Sequence, residues 1–196
     1  DGYWDEYDSF FLLTNDTKFP SNQSTISSLQ NLLVKYPKTG IISPCSNRWG
    51  EKNLIGVNSI KYFWFIHNNA YFFRKTMLNQ LINKDNPTYM DFLFDGENFR
   101  GYLSESEIIA KAYANNWAAA ITISVFAEEN ESYLIDKADL IKTESYDESL
   151  RLYVNEGKKW LRNKYGFNSR WIMNEYVKSF YDRFFEYNPS LLKFKL

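Results

Sequence analysis

Two carboxylates stand where the sequence around them changes character. The apolar run Phe10–Leu13 stops on Thr14-Asn15-Asp16-Thr17, all small and polar. A lone aspartate at the tip of a buried strand admits two readings. Asn and Asp bond their own backbone and tolerate unusual dihedrals, which makes a plain turn. Alternatively the tip is a metal and phosphate site, because ligands of open α/β sheets collect outside the carboxyl ends of the strands. The second carboxylate, Glu105, lies in GYLSESEIIAKAYANNW. It precedes Ile108 by three and Ile109 by four, so on a helix it shares their buried face at its N-terminal edge and is expected to face a cleft. The plainer reading is a first-turn acid favoured by the helix dipole. Glu107 reads as the partner of Ser104 in a capping box. His67 is the only histidine. With no nucleophile elbow and no second histidine beside it, it reads first as a strand-end residue satisfied by a backbone carbonyl.

The elements that must position these groups follow from periodicity. Ser9–Leu13 reads as a strand, and Leu29, Leu32, Leu33 and Tyr36 recur at helical spacing until Pro37 and Gly40 end the helix. GIISP is a short buried strand. Strand, helix, strand predicts neighbouring parallel strands joined by a right-handed crossover. Ser46–Asn58 has no period and reads as a loop. KYFWFIHNNAYFFR predicts a hairpin or bent strand pair on either side of His67-Asn68-Asn69. A short helix follows over about 76–83, and a clear one starts at Ser104 with Ile108, Ile109, Ala112 and Tyr113 as its apolar stripe. AAAITISVFAEE reads as a strand. Two helices close the chain. Leu150, Tyr153, Val154, Trp160 and Leu161 face inward on the first, which Gly166 caps. Ile172, Tyr176, Val177, Phe180, Tyr181 and Phe184 face inward on the second, over about 169–187. The basic run KKWLRNK reads as a solvated helix face.

Composition bounds what such a chain can be. Its 196 residues, 44% apolar, suffice for one domain with a real core. A net charge of −1 with both signs interspersed argues against nucleic acid or an anionic membrane as main partner. Cys45 is the only cysteine, so no internal disulfide forms, which fits a reducing, cytoplasmic setting. No apolar run approaches the roughly 20 residues that cross a bilayer.

The order of these segments resembles the second half of an inverting GT-A glycosyltransferase of the large family-two type, over most of Tyr7–Glu129. The family carries an aspartate at a strand tip, then a helix opening acid-acid-x-acid-Leu, a basic residue three positions later, and a Gly-aromatic pair. Here Ser104, Glu105, Ser106, Glu107 and Ile108 stand in that register, with Lys111 in the basic position and Asn116-Trp117 in place of the final pair. Three departures stand out. Thr14 replaces the first aspartate of the metal motif, Ser104 replaces the first acid, and Glu128 or Glu129 falls where the family has a histidine.

The resemblance implies a GT-A-like mixed or parallel sheet flanked by helices, with 1–140 as the catalytic half and 141–196 as a helical extension. It implies transfer of a sugar from a nucleotide-sugar to a glycan or lipid-linked acceptor. Asp16 would hold Mn²⁺ or Mg²⁺, Thr14, Asn15 and Lys111 would meet the donor, and Trp49, Trp117 and His67 the acceptor. Such an ion neutralises charge on the leaving nucleoside diphosphate, using one or two carboxylates with phosphates and waters. A carboxylate within about 3 Å of the acceptor hydroxyl must take its proton, and Glu105 is the candidate base. Only 15 residues precede Asp16, whereas the family places its nucleotide-recognising units there, so an upstream portion or partner chain is expected. The alternative expectation is a non-catalytic carbohydrate-binding module that kept the fold and lost the donor site.

Overall fold

The structure is a computed structural model that describes residues 5–14, 16–46, 59–66, 70–82, 93–129 and 145–196. Its strands are β1 (Ser9–Leu13), β2 (Thr17–Lys18), β3 (Thr39–Cys45), β4 (Ile60–Tyr62), β5 (Ala70–Arg74), β6 (Ala118–Phe126) and β7 (Glu128–Glu129). The helices are α1 (Thr25–Lys35), α2 (Lys75–Leu81), α3 (Ser104–Ala114), α4 (Tyr146–Tyr165) and α5 (Arg170–Tyr187), followed by a 3₁₀ turn over Pro189–Phe194.

Five strands form one sheet in the order β1-β5-β3-β6-β4, and β2 with β7 forms a separate two-stranded ladder. Only β3 and β6 pair in parallel; the other pairs of the sheet are antiparallel. This is an α/β architecture with a mixed sheet. Two expectations change. β1 and β3 point the same way but are not neighbours, because β5 lies between them and pairs with both. The aromatic segment makes no hairpin either: β4 pairs with β6, on the far side of β3 from β5. Periodicity marks a strand but carries no information about which distant strand it will meet.

Every residue of β3 is buried, as expected of a strand covered on both faces. Both α1 and α3 pack on β3 and β6. Leu29, Leu32 and Leu33 supply the buried stripe of α1. Arg74, at the end of β5, closes the C-terminus of α1 by donating to the carbonyls of Leu33 and Tyr36 and, at 2.8 Å, to that of Thr39. These carbonyls have no partner inside the helix, so the guanidinium replaces water there.

The two last helices enter the same core. Met173, Val177, Tyr181, Phe184 and Phe185 of α5 are buried with Trp160 and Leu161 of α4. Ring packing is edge-on: Tyr113 meets Tyr181 at 5.4 Å and Tyr62 meets Phe184 at 6.2 Å. Ile172 and Leu150 are exposed instead of inward-facing. Ser145 and Ser169 cap α4 and α5 through their side chains, and Gly166 takes the left-handed conformation after α4. Gly157 lets α4 approach closely, because a Cβ there would sit 2.2 Å from the Tyr102 side chain. No described helix is long and apolar enough to cross a membrane.

Candidate functional site

Since β1, β3 and β6 run in one direction, their carboxyl ends share one edge of the sheet. The segment after β1 turns there. The Thr17 amide donates to the Thr14 carbonyl at 3.2 Å, and the Thr14 hydroxyl donates to Asp16 Oδ1 at 2.5 Å. Asp16 is therefore built into a local turn, half-buried. Next, β2 pairs with β7, setting Thr17 opposite Glu129 and Lys18 opposite Glu128. Gln23 fastens this bridge by donating to the Phe126 carbonyl at 3.1 Å and accepting from its amide at 2.7 Å. The two glutamates thus lie opposite the short strand that follows the Asp16 turn. Among the described residues, no group of three or more His, Cys, Asp and Glu side chains is placed to hold a metal ion. One carboxylate still fits an ion that takes its remaining ligands from substrate phosphates and water.

The second centre is the entry to α3. Asn98 accepts from the Tyr102 amide at 3.0 Å and donates to its carbonyl at 2.8 Å, which fixes the loop before the helix. Gly101 and Leu103 both have positive φ, 71° and 55°. For Leu103 that conformation is strained, and burial of its side chain holds it in place. The chain thereby enters α3 through a left-handed residue, and Ser104 makes no side-chain cap.

The expected capping box is absent because Glu107 is drawn elsewhere. Its carboxylate, 1% exposed, takes Lys164 at 2.7 Å and the Tyr165 hydroxyl at 2.5 Å, both from α4. Lys164 also reaches Asp95 at 2.6 Å, and the Trp160 indole donates to Asp95 at 2.9 Å. Burial opposes the charge of Asp95, but hydrogen bonds from Lys164, Trp160 and the Glu97 amide outweigh it and hold its pKa below the usual value. Burial likewise opposes the Lys164 charge, and its two carboxylate partners win, leaving its pKa raised. Lys164 belongs to the basic run read as solvated. Lys158, Lys159 and Arg162 of that run are exposed, whereas Lys164 is turned inward.

Glu105 lies two residues earlier, on another side of the helix, and has a different environment. It is half-buried, and burial pushes its pKa up to about 7, with its own amide and the Arg170 charge pulling the other way. Tyr153 of α4 is its neighbour: burial first, and then the Glu105 charge, raise the phenol to about 12. Tyr153 also lines an open groove of about 350 Å³ with Phe99, Arg100, Ser149 and Leu150. Phe99 is 87% exposed there.

The sequence candidates separate in space. A three-residue turn, Asn115–Trp117, links the C-terminus of α3 to the amino end of β6, so α3 runs toward the amino edge and Glu105, in its first turn, lies at the end nearer the carboxyl edge. That is the side on which Asp16 sits. Trp117 lies at the opposite end, roughly 15 Å away by helix length. Its indole donates to Gln80 at 2.6 Å beneath the Arg74 guanidinium, so it cannot join an acceptor site around Glu105. Lys111 stands 3.9 Å from Glu107 Oε1 along the helix. Asn15, Trp49 and His67 lie outside the described residues, as does most of the expected loop over Ser46–Asn58. Sequence reasoning missed Tyr153, Arg170, Lys164 and Tyr165. Only the inward stripe of α4, which includes Tyr153, hinted at them.

No family model, no curated protein and no solved structure matches this chain.

Proposed function

We propose that this chain is the base-bearing half of an inverting, GT-A-like glycosyltransferase that moves a sugar from a nucleotide-sugar to a glycan or lipid-linked acceptor. The observation that carries the reading is Glu105, a half-buried carboxyl whose pKa is raised to about 7 and whose neighbour Tyr153 lines an open groove. A general base works best when its pKa lies near the operating pH, and burial is the usual means of tuning a carboxyl to it.

In this reading the acceptor lies in the groove along Phe99 and Tyr153. Its hydroxyl oxygen bonds to the anomeric carbon while the proton passes to the Glu105 carboxylate. The bond to the nucleoside diphosphate breaks and the leaving group keeps the electron pair. Asp16, with Thr14, Asn15 and Lys111 on the donor side, would hold Mn²⁺ or Mg²⁺, which when bound neutralises the diphosphate. The test is nucleoside diphosphate release by the full-length protein, across a panel of nucleotide-sugars and acceptors, for wild type and Glu105→Gln. Wild-type turnover that falls at least about a hundredfold in the variant, with donor affinity kept, supports the assignment. Equal turnover removes it.

One observation favours a second reading, a carbohydrate-binding module without catalysis. The Asp16 carboxylate is already engaged by Thr14 inside its own turn. Glycan binding in the groove with no turnover from any donor would select that reading.

A further inference from the structure

At the amino edge of the sheet, away from Glu105 and Asp16, a cavity of about 440 Å³ opens between the end of α1 and the 3₁₀ turn. That volume lies within the range of about 300–1,000 Å³ common for small-ligand pockets. Lys35, Lys38 and Lys193 line it, with Tyr36, Tyr62 and Phe194 as walls. Lys35 Nζ lies 5.2 Å from the Tyr36 ring centre, and Lys193 Nζ lies 5.2 Å from that of Phe194. The rings therefore hold both ammoniums near the pocket. Tyr36 and Phe194 meet edge-on at 5.4 Å, which fixes the wall itself.

The ordinary reason for lysines at this place is the negative end of a helix, whose last carbonyls attract cations. Here Arg74 already occupies it, donating to Leu33, Tyr36 and Thr39. No ion pair involves Lys35, Lys38 or Lys193 among the described residues, although Lys195 nearby is paired with Asp182 at 2.7 Å. Among the described residues, three cations thus line one cavity with no acid paired to them, beside a helix end that Arg74 already bonds.

We propose that this pocket binds the phosphate of a small phosphorylated ligand, whose organic part lies against Tyr36 and Phe194. The three ammoniums supply charge-assisted hydrogen bonds to the phosphate oxygens, and the rings exclude water beside them. The site is independent of the transferase reading and would stand if that reading fell. Two sources offer the same chemistry, a soluble phosphate ester and a lipid headgroup.

The experiment titrates the full chain with adenosine monophosphate, with adenosine, and with phosphatidylcholine vesicles containing or lacking phosphatidic acid. It compares wild type with Lys35→Gln/Lys38→Gln/Lys193→Gln, and uses Lys158→Gln/Lys159→Gln on the exposed face of α4 as a charge control. The monophosphate should bind saturably, adenosine at least tenfold more weakly, and the triple variant about 30-fold more weakly than wild type, with the control unchanged. Binding confined to phosphatidic acid vesicles and lost in the triple variant keeps the site and assigns the phosphate to a lipid. Saturable binding by none of the probes overturns the proposal, as does equal binding of adenosine, or equal loss in the control. Thermal unfolding of the triple variant within a few degrees of wild type shows that the loss is local, and Lys38→Gln alone, expected to weaken binding about threefold, repeats the test if the triple variant unfolds.

Discussion

Lys164→Met should be the most damaging single change of a charged residue in the described chain. The ammonium bridges Asp95 and Glu107, with side-chain exposures of 13% for the lysine and 1% for each acid. Methionine keeps the apolar stem and removes the charge, leaving two buried carboxylates without their cation. Removing one partner of a buried pair costs about 3–5 kcal/mol, because the remaining charge stays desolvated. Against a typical total of about 5–15 kcal/mol that is a large fraction, and it should lower Tm by roughly 10 °C.

The pH dependence gives the sharper test. In wild type the Asp95 pKa is lowered, so its contribution is present above about pH 4 and fades as pH falls through the lowered value. The Lys164 pKa is raised, so its contribution is complete below about pH 10 and fades only as pH rises through the raised value. The network is therefore intact between those limits. In the variant, burial drives Asp95 to take up a proton, so the deficit should be largest near pH 7 and shrink toward pH 4.5. Urea unfolding followed by circular dichroism and tryptophan fluorescence at both pH values measures it, with Lys159→Met as an exposed control. A cost below about 1 kcal/mol, or a deficit that does not change with pH, would refute the reasoning.

For Glu105 the folded pKa is raised, so the folded state binds more protons between about pH 4.3 and 7, and stability falls as pH rises through that window. Glu105→Gln should remove this slope and unfold at a higher temperature than wild type at pH 8; parallel melting curves at pH 5 and 8 would contradict it. If Glu105 is the base, kcat/KM should rise with pH to a plateau above about 7, and a flat profile would exclude it. Asp16→Asn should weaken binding of Mn²⁺ with a nucleoside diphosphate about tenfold by calorimetry, since the carboxylate charge is what the ion needs; unchanged binding rejects the donor-site reading. Gly157→Ala should cost about 1–3 kcal/mol in urea unfolding despite alanine's better helix propensity, because its Cβ meets Tyr102; a stabilised variant would show that α4 can retreat.

What the sequence made legible was local. The bounds of β1, the start of α3, the Gly166 cap on α4 and the buried stripe of Ile108, Ile109, Ala112 and Tyr113 follow from signals within a few residues of each element. Partner choice was not local. Nothing in Phe10–Leu13 says that β5 will pair with it, and the capping box at Ser104 was lost to Lys164 and Tyr165, 60 positions down the chain. The same long-range contact explains why a basic run that looks solvated buries one of its lysines. Glu105 could be placed at the edge of a stripe from spacing, but the burial that raises its pKa and the Arg170 charge that opposes it depend on helices whose docking no periodicity describes.

The insertion of β5 between β1 and β3 also sets a schedule for synthesis. Leu13 pairs with Ala70, 57 positions later, so β1 leaves the ribosome long before its one neighbour among the described strands exists. At about 5–20 residues per second the wait lasts roughly 3–11 s. Through that interval SFFLL is an unpaired apolar strand, the kind of segment that joins other chains edge to edge. Its polar stop at Thr14–Thr17 and the acidic residues Asp5, Glu6 and Asp8 before it flank the strand as gatekeepers. The turn that would serve the donor in the finished protein thus shields the nascent one from its neighbours.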